Sequence, residues 1–207
     1  MTTEGPFLKS DDKMQQILEA AITVFSEAGF RKTTMQDVAT QAGVGKGTIY
    51  LYFSSKEELL GKMLLMVLQD YLHQVQEIAA EEGSVKTRLE QLFLSYIEGA
   101  KKNRQKFKFL MQSSVGMGES FKRKAVNTRT RIFEEIQELV QEGIDNGTIR
   151  PVDAATATHA ISGAMDSLAA SIIWRQERDE DAIDKQKTPR ELARSALECV
   201  WLGLSGD

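Results

Sequence analysis

The chain has 207 residues, with 26 lysines and arginines against 30 aspartates and glutamates, so its formal net charge is −4. This acidic balance excludes a nucleic-acid binder that acts through overall charge, so any DNA binding must come from a local basic surface. Cys199 is the only cysteine, which excludes an intrachain disulfide and a zinc cluster built from cysteines. The N-terminus lacks the apolar segment of a signal peptide, and the longest apolar run, Met63–Leu68, is too short to cross a bilayer. We therefore expect a cytoplasmic protein with no membrane partner.

Apolar residues recur at spacings of three and four along most of the chain, which is the periodicity of helices. No segment alternates as a half-buried strand does, so we expect an all-α fold of about nine helices. Residues 1–9 are expected to form a loosely attached arm before a helix that Ser10 or Asp11 caps and that ends at Gly29. Further helices are predicted from Ser55 to about Ala80, around Leu89–Ile97, from Ser120 to about Asn146, after the cap Asp153 and after the capping sequence Thr188–Glu191.

Residues 33–56, which read TTMQDVATQAGVGKGTIYLYFSSK, carry the pattern of two short helices joined by a tight turn. Thr34 is a favoured N-cap, and Gln36 or Asp37 can complete its capping box. Gly43 can take the left-handed conformation that a tight turn between helices requires. The pattern therefore predicts a helix from about Thr34 to the turn at Gly43.

A second short helix can begin at Gly45, with Ile49 and Phe53 four residues apart on its inner side. Ser55 is then expected to cap the following helix, with Glu58 as its box partner. Four residues of the second helix remain for other faces, and their side chains bond phosphates or base edges: Lys46, Thr48, Tyr50 and Tyr52.

The same stretch is basic within an acidic chain. Arg31, Lys32, Lys46 and Lys56 face only one acidic residue, Asp37, so residues 31–56 carry four positive charges against one, a balance of +3. This local surplus is the surface from which DNA binding can be expected.

The segment ILEAAITVFSEAGFRKTTMQDVATQAGVGKGTIYLYFSSKEELL resembles the DNA-binding domain of the TetR/AcrR family of bacterial transcriptional regulators almost position for position. Gly45 departs from the family, in which many members have serine or another capping residue there. The remaining helices are similar by length and layout to the family's second domain. The resemblance implies a helix-turn-helix DNA-binding domain in residues 1–54 and an effector-binding and dimerisation domain in residues 55–207.

The resemblance also implies which residues contact DNA. Thr34 and Gln36 would touch phosphate or a base edge, Gly47 would let the backbone approach the duplex, and Lys56 would bind phosphate. Tyr50 and Tyr52 can instead be packing residues. The full set implied is Thr34, Gln36, Lys46, Gly47, Thr48, Tyr50, Tyr52 and Lys56.

Members of the family act as homodimers, so the resemblance implies a repressor that binds a pseudo-palindromic double-stranded DNA operator and is released by a small lipophilic effector. The effector would be drug-like or a fatty acyl-CoA. The last two helices would form the dimer interface, through Ala157, Ile161, Ala164, Leu168, Leu197, Val200, Trp201 and Leu204.

Aromatic residues and methionines of the second domain can enclose such an effector, although each can equally be core. The basic stretches Lys101–Lys108 and Lys122–Arg131 would suit an anionic effector, whereas a cationic one would need Glu98, Glu119 or Asp166. The candidate pocket residues are Phe93, Tyr96, Phe107, Met111, Phe121, Phe133, Met165 and Trp174.

Neither nucleotide hydrolysis nor metal-dependent catalysis is supported by the sequence. The string GVGKGT lacks the spacing of a phosphate-binding loop, and His73 and His159, the only histidines, have no metal-binding spacing. We therefore expect no enzymatic activity, no cofactor and no metal. The alternative that remains is a helical adaptor that contacts only proteins.

Overall fold

A computed structural model of the chain describes residues 6–102, 104, 107, 119–174 and 187–204. These residues form eight α-helices and one 3-10 turn, which confirms the predicted all-α fold. No helix in the described ranges is both long and apolar enough to cross a membrane. The helices are α1 (Pro6–Ala28), α2 (Met35–Gln41), α3 (Lys46–Tyr52), α4 (Lys56–Ala80), α5 (Val85–Lys102), α6 (Glu119–Asp145), α7 (Ala154–Trp174) and α8 (Pro189–Leu204), with the 3-10 turn at Phe30–Lys32.

The first helix is longer than the sequence predicted. It begins at Pro6, ahead of the expected cap at Ser10 or Asp11, so the prediction of a loose arm is wrong for residues 6–9. Proline is favoured at the first position of a helix, because the N–H that it lacks has no intrahelical acceptor there.

Two later helices begin at the capping residues that the sequence predicted. Thr188 accepts a hydrogen bond from the Glu191 N–H at 3.2 Å, and the Glu191 carboxylate accepts one from the Thr188 N–H at 2.8 Å. Asp153 accepts bonds from the Thr156 hydroxyl and N–H at 2.6 and 2.8 Å, and α7 begins at the next residue. These bonds stabilise the ionised carboxylates, so the pKa values of Glu191 and Asp153 lie below their ordinary range.

The chain divides into two compact units. The first contains Met1–Val67 and Phe109–Val126, and the second contains Leu68–Lys108 and Asn127–Asp207. The helices α4 and α6 contribute residues to both units, and the start of α4 belongs to the first. The domain boundary expected after residue 54 stays a prediction.

Helices α1, α2 and α3 of the first unit share one apolar core. α2 packs against α1 and α3, and the side chains of Ile17, Val38, Ile49 and Phe53 are completely buried. Burying each such side chain stabilises the fold by about 1.5–3 kcal/mol. The position of α3 is therefore fixed from its inner side.

Helix α5 is central to the second unit, where it packs against α7 and α8. Among its buried residues is a charged one, Arg88, whose guanidinium pairs with the Glu142 carboxylate and donates to the Ala79 carbonyl at 2.9 Å. The Arg88 Nε atom is also buried and has no hydrogen-bond partner among the described residues. Arg88 thus joins the ends of α4 and α6 to the start of α5.

Candidate DNA-binding surface

Helix α2 begins with the capping box that the sequence predicted, and Asp37 rather than Gln36 completes it. The Thr34 N–H and hydroxyl donate to the Asp37 carboxylate at 2.8 and 2.9 Å, and the Asp37 N–H donates to the Thr34 hydroxyl at 3.2 Å. These bonds lower the pKa of Asp37. Both donors of Thr34 are engaged in the box, so Thr34 would have to exchange partners before it could donate to a phosphate. The side chain of Gln36 is exposed.

The turn after α2 depends on Gly43, as predicted. Its φ of +63° lies in the left-handed region, and a Cβ there would meet no atom within 4 Å, so the requirement is for conformation rather than space. The Gln16 side chain of α1 donates to the Ala42 carbonyl at 2.9 Å. The turn is therefore tied to the helix beneath it.

The second short helix, α3, begins after Gly45, which has no side chain to cap it. The Gly45 carbonyl accepts from the Thr48 N–H at 2.9 Å. Ile49 and Phe53 are fully buried, which confirms the predicted inner side. Because both are anchored, the opposite side of α3 must face outward.

The side chains predicted to contact DNA differ in their exposure. Lys46 and Gly47 are exposed, Tyr50 is 48% exposed, and Thr48 and Tyr52 are half-buried. The Tyr52 ring lies 6.5 Å from the Phe53 ring, so packing accounts for part of its surface. Tyr50 is thus the tyrosine of this pair that is free to approach a ligand.

Leu51, whose side chain is 84% exposed, is not among the residues that the sequence predicts to contact DNA. Leu51 stands two residues from both Ile49 and Phe53, which places it about 160° around the helix from each. The spacing follows from the sequence alone, but an apolar side chain carries no signal for a contact with phosphates.

Lys56 joins the start of α4 to the segment that precedes α2. Its ammonium donates to the carbonyls of Phe30 and Thr33 at 2.7 and 2.8 Å and lies 4.4 Å from the centre of the Phe30 ring. An ammonium has three donors, so one is left for a phosphate. The predicted phosphate contact by Lys56 is compatible with this geometry, but the residue also has a structural role.

The start of α4 differs in one detail from the prediction. Ser55 accepts from the Glu58 N–H at 3.1 Å, as an N-cap should. The Glu58 carboxylate, however, accepts from the N–H and hydroxyl of Ser54 at 2.8 and 2.6 Å. The box partner of Glu58 is therefore Ser54, and these bonds lower the Glu58 pKa.

A group of aromatic and acidic side chains comes together in the second unit. The Tyr96 hydroxyl donates to the Asp166 carboxylate at 2.5 Å, and the Tyr96 ring lies 5.2 Å from that of Tyr71 and 5.1 Å from that of Phe107. Burial, and next the negative charge of Asp166, raise the pKa of both tyrosines, although both side chains keep accessible surface. Of this aromatic-acidic cluster, Tyr96 and Phe107 belong to the predicted pocket, whereas Tyr71 was missed.

All but one of the other predicted pocket residues are among the described residues. Phe93 and Met165 are buried in the core of the second unit, and the Phe133 ring lies 4.4 Å from the His159 ring. Phe121 lies against Gly61 in the first unit, Trp174 is 47% exposed, and Met111 is outside the described residues.

The residues predicted for the dimer interface divide into two groups. Ala157, Ile161, Leu197 and Leu204 are buried within the chain, so they belong to its core rather than to a surface that a partner could contact. Ala164, Leu168, Val200 and Trp201 are half-buried. The exposed residues of the same two helices include several small or apolar ones, namely Ala160, Gly163, Ser167, Cys199, Leu202 and Gly203.

Comparison with known proteins gives two family matches. The model described as bacterial regulatory proteins, tetR family, matches residues 17–63. The model described as tetracyclin repressor-like, C-terminal domain, matches residues 82–170.

Individual proteins match over most of the chain. The HTH-type transcriptional regulator YfiR of Bacillus subtilis (strain 168) is 28% identical over 195 residues, which are 91% of this chain and 93% of YfiR. The fatty acid metabolism regulator protein of the same organism is 26% identical over 168 residues, 80% of this chain and 86% of that protein. The crystal structure of FadR from Bacillus subtilis in complex with stearoyl-CoA has a TM-score of 0.76 at 23% identity, covers 91% of this chain and 98% of that one, and shares the fold.

Proposed function

The chain belongs to the tetR family of bacterial regulatory proteins, and we propose that it represses transcription from a pseudo-palindromic operator until a small lipophilic effector binds. The observation that carries the proposal is the outer side of α3. Ile49 and Phe53 anchor this helix from within, while Lys46 and Tyr50 are presented to solvent. A short helix held in this way suits insertion into a major groove, where its exposed side chains meet phosphates and base edges.

The local charge supports the same function. Arg31, Lys32 and Lys46 are exposed, and Asp37, the acidic residue among them, is already bonded within its capping box. Cations that contact phosphates release counterions from DNA, so binding should weaken as salt is raised.

A homodimer is part of the proposal, because a recognition helix this short binds usefully only when two copies read one palindromic site. Helices α7 and α8 support it with the exposed small residues Ala160 and Gly163, which allow close helix packing, and with Leu202, which is 82% exposed. The half-buried Ala164, Leu168, Val200 and Trp201 remain in the proposed interface.

For the effector, the aromatic-acidic cluster around Tyr96 is the best-supported site in the second unit. The neighbouring aromatic rings, which are tilted or edge-to-face, favour an apolar ligand, and the Asp166 carboxylate can accept a bond from a ligand hydroxyl or amide. The relative in complex with stearoyl-CoA makes fatty acyl-CoA the first candidate, with a drug-like molecule as the second. The Arg104 guanidinium donates to the Ile173 carbonyl at 2.8 Å, so this cation of the basic stretch also has a structural partner.

The effector acts only if it binds the DNA-incompetent state more tightly than the competent one. Helix α4 has residues in both units and is the element that we propose carries the signal. Mass spectrometry of the purified protein tests for a bound ligand. Stearoyl-CoA, with acetyl-CoA as the control, should then release labelled DNA, and Asp166→Asn should shift the concentration needed without changing DNA affinity in its absence. Release by both thioesters alike, or by neither, would rule out a long-chain acyl effector.

DNA binding itself is tested by fluorescence anisotropy with a fragment from upstream of the gene and a scrambled fragment, each at two salt concentrations. We expect selective binding that weakens steeply with salt. Lys46→Ala should lower the salt slope by about one unit. Lys102→Ala on α5, which removes the same charge outside the first unit, should not. Binding that depends on neither salt nor sequence would favour the helical adaptor instead.

A further inference from the structure

Among the described residues of the first unit, the most exposed large apolar side chain lies on the helix that is proposed to read DNA. Leu51 is 84% exposed, whereas Val126, the next most exposed, is 59% exposed and lies on α6. Single apolar side chains on a surface need no explanation by themselves. The position of Leu51 on α3, however, does require an explanation.

Leu51 lies at the centre of the outer side of α3. It is directed away from the buried Ile49 and Phe53. One turn earlier on the same side stands Gly47, where a Cβ would meet no atom within 4 Å. The preceding turn therefore presents no side chain that would hold Leu51 away from a surface approached by α3.

The neighbours of Leu51 identify that surface as DNA. At about 100° per residue, Tyr50 lies on one side of Leu51, with the exposed Lys46 one turn before it, and the half-buried Thr48 and Tyr52 lie on the other side. The ammonium and hydroxyls of these residues are groups that bond phosphates. An apolar centre between polar groups matches a duplex, in which the grooves lie between two rows of phosphates.

A leucine side chain cannot bond a phosphate or the polar edge of a base. On the major-groove edges of the base pairs, the distinctive apolar group is the C5-methyl of thymine, against which apolar side chains pack. Burying the leucine there removes apolar surface of both partners from water, which is favourable.

We propose that Leu51 is a specificity-determining residue that reads a thymine in each operator half-site by packing against its C5-methyl group. The inference rests on the proposed function, because it requires α3 to enter the major groove. It adds a base-reading contact to an interface whose other side chains are polar.

The test replaces each thymine of a selected operator half-site by uracil, which removes only the methyl group. Anisotropy with the full-length protein should find one position per half-site where uracil weakens wild-type binding by about three- to tenfold. At that position, replacing thymine by uracil should not weaken DNA binding by Leu51→Ala. The exposed Val126→Ala variant of the same unit should respond to uracil as the wild type does.

Two results would overturn the proposal. One is that no thymine methyl matters more to the wild type than to Leu51→Ala. The other is that uracil weakens binding at no position and that Leu51→Ala also changes the oligomeric state measured by sedimentation. Leu51 would then contact another protein. The proposed function survives either result if the wild type still binds its operator selectively. Circular dichroism should confirm that Leu51→Ala is folded, because the side chain buries little of its surface.

Discussion

The ring of Phe121 occupies the space that a side chain at Gly61 would need. Three ring atoms would lie within 3.0 Å of a Cβ placed on Gly61, including the carbon that attaches the ring. Real β-carbons essentially never approach so closely, so it is the missing side chain that lets the start of α6 lie against α4 in the first unit.

Gly61→Ala should therefore destabilise the protein, although alanine is normally the better helix former. The whole ring must move, and overpacking of this kind costs about 1–3 kcal/mol. Thermal unfolding is the measurement. The matched control is Gly47→Ala on α3, where a Cβ meets nothing within 4 Å and the change should be neutral or stabilising by up to about 1 kcal/mol. Equal effects of the two substitutions would contradict the close contact, and Phe121→Leu should restore part of the loss in Gly61→Ala.

Removing Arg88 and removing Glu142, which form an ion pair, should destabilise the protein by unequal amounts. The Arg88 side chain is 9% exposed and that of Glu142 is 48% exposed, so only the glutamate can be hydrated when its partner is removed. Glu142→Gln leaves a buried cation without its counterion, which costs about 3–5 kcal/mol, whereas Arg88→Met should cost less.

Urea unfolding would measure both losses, and an equal or reversed order would contradict the burial argument. The exposed pair Arg194–Glu198 provides the control, because its two side chains are 70% and 54% exposed. Neutralising either member there should change the stability by no more than about 1 kcal/mol.

Substitutions at Lys56 and Lys46 should distinguish a lysine that stabilises the fold from one that contacts DNA. Lys56→Met removes the bonds to the carbonyls of Phe30 and Thr33, so it should lower the melting temperature. Lys46→Ala, at an exposed site, should leave the melting temperature unchanged and weaken DNA binding only. If Lys56→Met has the same melting temperature as the wild type, the ammonium does not hold the start of α4 in place.

Acid should destabilise the chain through its capping carboxylates. The bonds from Thr34 hold the pKa of Asp37 below its ordinary value of 3.8, and those from Ser54 hold that of Glu58 below 4.5. A group whose pKa is lower in the folded state stabilises the fold fully above its unfolded pKa, and this contribution is lost as the pH falls through the folded value. Stability should therefore fall as the pH drops below about 4.5. Asp37→Asn should flatten this dependence, and an unchanged pH profile would contradict the bonded carboxylate.

Local chemistry explains why parts of this fold could be predicted from the sequence. Helix caps and tight turns depend on residues that are close together in sequence. The structure confirms the predicted caps at Thr34, Ser55 and Thr188 and the predicted turn at Gly43. The 3.6-residue period likewise predicted the buried side of α3.

The contacts that could not be predicted join residues far apart in sequence. Arg88 and Glu142 are 54 residues apart, and Tyr96 and Asp166 are 70 apart, so no local pattern pairs them. Which of the residues proposed for the dimer interface are buried within the chain could not be predicted for a related reason. Periodicity shows that Ile161 lies on an apolar side of its helix, but it cannot show whether that side meets the chain's own core or a partner.

The central claim is that two copies of α3 enter major grooves of one operator. Methylation protection at the N7 atom of guanine, which lies in the major groove, tests this directly on the bound operator. We predict two clusters of protected guanines on one side of the duplex, separated by about 10 base pairs or a multiple of that spacing. Binding that leaves every guanine N7 accessible would contradict the claim.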